Sequence, residues 1–153
     1  MRIKKSILAT ITVASLFTAG AAYAGPVTIT FKNLGTAPAK YAPVTNNEVN
    51  TSILASPTPL ASVSAKGTST YTVQNLITTD ANAAAVRYTI GKKTCVFGTT
   101  FVNEVIPGGL FSGTIPKVPK WNKTATASGG ATCKATITST SITGAWAVEF
   151  TMK

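Results

Sequence analysis

An all-β fold, a single antiparallel β-sandwich, is predicted for residues 25–153, and three observations predict it. Threonine is very abundant, with 27 in the full chain, and Val, Ile and Ser accompany it. β-Branched side chains are stiff at χ1 and pack well on a pleated surface, so they favour strands. Short runs that alternate apolar and polar residues recur with turn residues between them, at the roughly 8–12-residue spacing of all-β domains. Beyond residue 24, no window of eleven or more residues carries the apolar period of a helix.

The strands follow in chain order. Pro26 to Asn33 alternates strictly, with Val27, Ile29 and Phe31 on one face and Thr28, Thr30 and Lys32 on the other. Residues 36–62 are rich in Pro, Asn, Ala and Ser, which predicts loops around short strands near Lys40–Val44 and Thr51–Ala55. Lys66-Gly67 is a turn before Thr70–Gln74, where Tyr71 and Val73 point inward. After a break at Thr79–Ala83, the run Ala84–Ile90 places Val86, Tyr88 and Ile90 inside and Arg87 outside. Gly91-Lys92-Lys93 signals a tight hairpin. Its return strand, Thr94–Val102, shares one face among Cys95, Phe97, Thr99 and Phe101. Pro107-Gly108-Gly109 breaks the pattern before a short strand at Leu110–Ile115. Pro116–Ser128 reads as a polar, basic loop around Trp121. Thr132–Ser139 and Ala145–Met152 close the sandwich, with Cys133, Ala135 and Ile137, then Trp146, Val148, Phe150 and Met152, facing in.

Residues 1–24 read as a cleavable signal peptide of compact, bacterial type. Arg2, Lys4 and Lys5 form a positive start, and Ile7–Ala19 is uncharged and mostly apolar. Ala22-Tyr23-Ala24 supplies the small-x-small pattern, which places cleavage between Ala24 and Gly25. A membrane anchor is the competing reading, but the apolar run falls short of the roughly 20 residues that span a bilayer. The expected location is secreted, periplasmic or at the cell surface.

Cys95 and Cys133 are the only cysteines. In an oxidising compartment such a pair is expected as a disulfide, with buried free thiols as the alternative. The chain has no histidine, and residues 25–153 hold four acids: Glu48, Asp80, Glu104 and Glu149. That composition lacks the equipment of a Ser-His-Asp or Cys-His enzyme and of a tetrahedral metal site. Neither a glycine loop for phosphates nor an Asp-rich calcium loop is present. A non-enzymatic protein without cofactor or metal is the expectation.

Eleven basic and four acidic residues give the segment after Ala24 a net charge of +7. Such charge serves solubility or attracts an anionic partner: lipid, cell-wall polymer or glycan, rather than a specific nucleic acid. The sharpest binding candidate is Lys117, Lys120, Trp121 and Lys123, three cations around an indole suited to a membrane interface or a sugar face. The competing and favoured reading has Trp121 plugging the end of the sandwich, since large aromatics are usually well buried. Asn50-Thr51-Ser52 and Asn122-Lys123-Thr124 match the N-glycosylation pattern.

The stretch Lys66–Val102 places a glycine turn, a strand, a loop, a V-x-Y-x-I strand and a hairpin return in succession. With the opening VTITFKNLGTAPAKY, it resembles the small secreted β-sandwich cytolysins of the aegerolysin and bacterial crystal-protein kind. The chain departs from that pattern at Phe101–Pro107, where a Trp-Asn-Asn-Pro-like segment is expected. The resemblance implies a non-enzymatic sandwich that binds membranes or surfaces. A pilus or surface-fibre subunit, self-associating by exchange of its N-terminal strand, is the second expectation.

Overall fold

The computed structural model describes residues 24–74, 78–105 and 117–153. The alternation that follows Pro26 becomes β1 (Val27–Asn33), whose odd-numbered residues are buried. It is followed by β2 (Ala39–Tyr41), α1 (Asn46–Leu54), β3 (Ala55–Ser56), β4 (Ser62–Val63) and β5 (Thr68–Val73). Then come β6 (Ala81–Ile90), β7 (Lys93–Val105), β8 (Lys117–Ser128), β9 (Cys133–Thr140) and β10 (Trp146–Met152). One sheet has the order β3-β5-β1-β10-β9 and the other β4-β2-β6-β7-β8. All pairings are antiparallel except that of β1 with β10, which run parallel and in register from Val27–Trp146 to Asn33–Met152.

The chain is therefore an all-β sandwich, and its two inner faces meet through aromatic side chains. Phe31 of β1 stacks on Tyr88 of β6 with ring centroids 3.5 Å apart. Phe97 of β7 stacks on Phe150 of β10 at 4.6 Å. Burying each such ring removes a large apolar surface from water, the main driving force for closing the sandwich. Two pairs of polar groups carried into this core bond to each other across the sheets. The hydroxyls of Tyr71 and Tyr88 lie 3.2 Å apart, and Trp146 Nε1 donates to Thr99 Oγ1 at 2.9 Å. Burial pushes both tyrosine hydroxyls well above their ordinary pKa. Cys95 and Cys133 form a disulfide that ties β7 to β9 across the two sheets.

Three expectations are corrected. The short strand expected at Thr51–Ala55 is instead mostly helix, α1. Thr45 caps it, and Glu48 reaches back to the backbone amides of Val44 and Thr45 at 2.6 and 3.1 Å, a capping box. The helix buries only Glu48 and Thr51 and leaves Val49, Ile53 and Leu54 exposed. It is held by polar bonds, so it has no apolar stripe to betray it. Likewise, Lys117–Ser128 is not a loop but a strand, paired with β7 from Val105–Lys117 to Thr94–Ser128. It lies at the edge of its sheet, where ladder bonds hold a polar sequence and Pro119 is tolerated. The break expected at Thr79–Ala83 is shorter than that, because β6 already begins at Ala81. The strand expected at Leu110–Ile115 and the signal segment up to Tyr23 lie outside the described residues.

Candidate functional site

The four residues singled out on β8 do not form one cluster. Alternation along the strand sets Lys117, Trp121 and Lys123 opposite Val105, Phe101 and Thr99 of β7, on the inward side of the sheet. Lys120 falls on the other face, opposite Val102. Trp121 is half-buried and packs on Phe101 with centroids 5.4 Å apart. Its Nε1 is buried and has no hydrogen-bond partner among the described residues. Two of the three lysines are also neutralised. Lys117 Nζ sits 2.7 Å from Asp80 Oδ2, and Lys120 Nζ 3.2 Å from Glu104 Oε2. The hydrogen bonds from Lys117 and then Asn103 hold the Asp80 carboxyl below its ordinary pKa.

Ion pairing recurs at every acid of residues 25–153. Glu48 pairs with Arg87 at 2.9 Å, and Glu149 with Lys32 at 2.6 Å. The net +7 is thus carried by seven lysines without a carboxylate partner: Lys40, Lys66, Lys92, Lys93, Lys123, Lys134 and Lys153.

Strand register decides where they stand. Because β1 and β10 are parallel, Asn33 and Met152 end side by side. Cys133, at the start of β9, lies opposite Met152. Gly67 reaches the same end, its carbonyl accepting from Asn33 N–H at 3.0 Å. The disulfide brings Cys95, and with it the β6–β7 turn, to that end as well. Lys66, Lys92, Lys93, Lys134 and Lys153 all sit on these turns and termini, and Lys40 lies opposite Thr89, next to Ile90. Six of the seven unpaired lysines therefore collect at one end of the sandwich, and only Lys123 lies elsewhere. Between them is a cleft of about 340 Å³, flanked by Lys66, Lys93 and Lys153 with Leu34 and Ile90. Lys66 holds a left-handed backbone conformation, φ 62°, and its Nζ donates to the Leu34 carbonyl at 2.5 Å. Leu34 itself is 42% exposed, an apolar side chain amid the cations.

Such an arrangement has a physical consequence. Like charges gathered with no Asp or Glu paired to them repel one another and raise the local positive potential. An approaching anion relieves that repulsion, so this end is built to attract negative charge. The opposite end carries the Asp80–Lys117 and Glu104–Lys120 pairs and is nearly balanced. Sequence reading missed the lysine end because its members span residues 40 to 153. In the sequence only Lys92 and Lys93 stand side by side, and the other four are scattered.

Ala24 and Gly25, the expected cleavage junction, are buried at the far end from the lysines. Ala24 N–H donates to Thr79 O at 2.6 Å, and the Gly25 carbonyl accepts from Asn82 Nδ2 at 2.9 Å. A Cβ on Gly25 would overlap the backbone nitrogen of Ala145. Among the described residues no cluster of His, Cys, Asp and Glu could hold a metal ion, and no helix is long and apolar enough to cross a membrane. No protein-family model matches the chain, and no curated protein matches it.

Proposed function

We propose that the chain is an exported, non-enzymatic β-sandwich that docks end-on to a membrane surface bearing anionic headgroups. One observation carries this reading: all four carboxylates are spent on ion pairs, and six uncompensated lysines gather at one end. Lysines near an anionic bilayer contribute about 1 kcal/mol each. Leu34, exposed among them, adds an apolar contact at the headgroup boundary. The resemblance to secreted β-sandwich cytolysins points the same way.

Two charge-matched variants test it in co-sedimentation with vesicles of phosphatidylglycerol and phosphatidylcholine. Lys92→Gln/Lys93→Gln/Lys153→Gln is expected to weaken binding roughly 100-fold at low salt. Lys117→Gln/Lys120→Gln/Lys123→Gln is expected to change it several-fold less, although the net charge falls equally. The difference shrinks as the Debye length falls to about 8 Å at physiological ionic strength. Equal losses from both variants would mean that net charge alone drives binding. Binding to cell-wall polymer but not to vesicles would replace the membrane as partner.

The fibre-subunit reading requires β1 to leave its own domain. Yet β1 is the centre of its sheet, bonded to β5 on one side and β10 on the other. This self-contained arrangement favours surface binding by a monomer. Self-association that disappears on deleting residues 25–33 would restore the fibre reading.

A further inference from the structure

A second concavity lies on the side of the sandwich, away from the lysine end. The short helix α1 packs on β6, where Thr51 Oγ1 accepts from Ala85 N–H at 2.9 Å. The outer face of β7 and β8 beside it stays open. Between helix and strands is a groove of about 300 Å³, at the small end of the range for small-molecule sites. Its floor is made of residues with almost no side chain: Ala83 and Ala85 of β6 and Gly98 of β7. A Cβ on Gly98 would stand 2.7 Å from Thr124 Oγ1, so any larger residue there would intrude on the groove.

The walls are polar but uncharged. From α1 come Asn47 and Asn50, with Leu54 at the lip. From the strands come Thr100, Asn122 and Thr124. None of these five polar side chains is engaged in a hydrogen bond within the described residues. Each carboxamide offers two donors and an acceptor, and each hydroxyl offers both. Lys123 also borders the groove, but its register opposite Thr99 turns its side chain to the inner face. The neighbouring charges, Glu48 and Arg87, are occupied by each other.

We propose that this groove binds a neutral, polyhydroxylated ligand: a single sugar ring of a glycan. Vicinal hydroxyls both donate and accept, as carboxamides do, so Asn47, Asn50 and Asn122 can each bridge a diol. The methyl groups of Ala83, Ala85 and Leu54 suit the C–H face of a pyranose. A phosphate or carboxylate ligand would find no cation aimed into the groove, which separates this site from the lysine end; neither reading depends on the other. Without an aromatic platform, one ring is expected to bind in the millimolar range. Clustered display raises that by avidity.

The test is a neutral-glycan array, followed by titration of the best-retained sugar into the protein under NMR observation. Amide shifts are expected at residues 47–54, 83–85, 98–100 and 122–124. Asn50→Ala/Asn122→Ala alters two exposed side chains without a hydrogen bond among the described residues, so its melting temperature should not change. It is expected to lose at least tenfold in affinity. Gly98→Val, checked by its melting curve, should fill the floor and abolish binding. The lysine-end variant Lys92→Gln/Lys93→Gln/Lys153→Gln should bind the sugar normally. The proposal is overturned if no neutral glycan binds at 10-fold above the millimolar range. It is also overturned if the asparagine variant binds like the parent. Retention only of acidic glycans, lost in the lysine variant, would overturn it too.

Discussion

Glu48 grips Arg87 with both carboxylate oxygens across 39 residues of chain. Its Oε2 accepts from Arg87 Nε at 3.1 Å and its Oε1 from Arg87 Nη2 at 2.9 Å. The same Oε2 accepts the amides of Val44 and Thr45, so one side chain caps α1 and fastens it to β6. Glu48 is only 1% exposed. A planar guanidinium paired two-pronged with a carboxylate is a geometry that lysine cannot reproduce.

Replacing that carboxylate is expected to be costly. Glu48→Gln should lower the unfolding free energy by about 3 kcal/mol at neutral pH, since breaking a largely buried pair leaves the partner uncompensated. Burial alone would raise the Glu48 pKa, but the Arg87 bonds and the two backbone amides outweigh it and hold the value below the ordinary 4.5. The folded-state value is therefore the lower one. The stabilisation is present above pH 4.5 and is lost as pH falls through the folded-state value. Urea unfolding from pH 7 to pH 2 should show parent and Glu48→Gln converging in acid; a constant gap would contradict the pairing.

Thr99 bridges the sheets as an acceptor from Trp146 Nε1 at 2.9 Å and a donor to Asn122 O at 3.0 Å. Thr99→Val keeps the shape and removes both bonds. It is expected to cost about 1–3 kcal/mol, because the indole N–H stays buried without a partner. In a double-mutant cycle with Trp146→Phe, the combined loss should fall short of the sum of the two singles. Additive losses would mean that the bond contributes nothing.

The disulfide closes a loop with a sequence separation of 38. In the chain-entropy account that restriction of the unfolded state stabilises the fold by about 4 kcal/mol. Cys95→Ala/Cys133→Ala should lower the urea midpoint accordingly while the β-sheet circular dichroism signal persists. In the parent protein, neither cysteine should react with an alkylating agent until a reductant is added. Labelling of both thiols without reductant would overturn the bridge.

Gly25 gives a test that separates processing from folding. Ala is as small as Gly to a signal peptidase that reads positions before the cut. Gly25→Ala is therefore expected to yield the same mature start, at residue 25, by intact mass. Its Cβ would press on the Ala145 backbone. Overpacking of this kind costs about 1–3 kcal/mol. An unchanged melting temperature would show that the turn at Gly144-Ala145 yields without cost. A mass that retains residues 1–24 would remove the export reading.

The chain of 153 residues determined, by itself, which side chains go inside. A half-buried strand alternates with period two, and in β1, β7 and β10 that alternation shows directly as Val27-Ile29-Phe31, Cys95-Phe97-Thr99-Phe101 and Trp146-Val148-Phe150-Met152. The cysteine pair was legible on a different ground: they are the only two cysteines, in a chain read as bound for an oxidising compartment. Elements held by polar bonds were not legible. α1 buries an acid and a threonine rather than an apolar stripe, although Thr45 and Glu48 spell its capping box. β8 lies at a sheet edge, where its mates are backbone groups of β7 and its composition is free to be that of a loop. What only the tertiary structure decided is the meaning of the charge. Asp80 meets Lys117 and Glu104 meets Lys120 because strand register brings them together, which quiets the basic stretch that stood out in sequence. The parallel pairing of β1 with β10 and the Cys95–Cys133 bridge gather lysines from residues 40 to 153 at one end. Coulomb interactions act through space, and adjacency along a chain says little about them until the sheets are laid side by side.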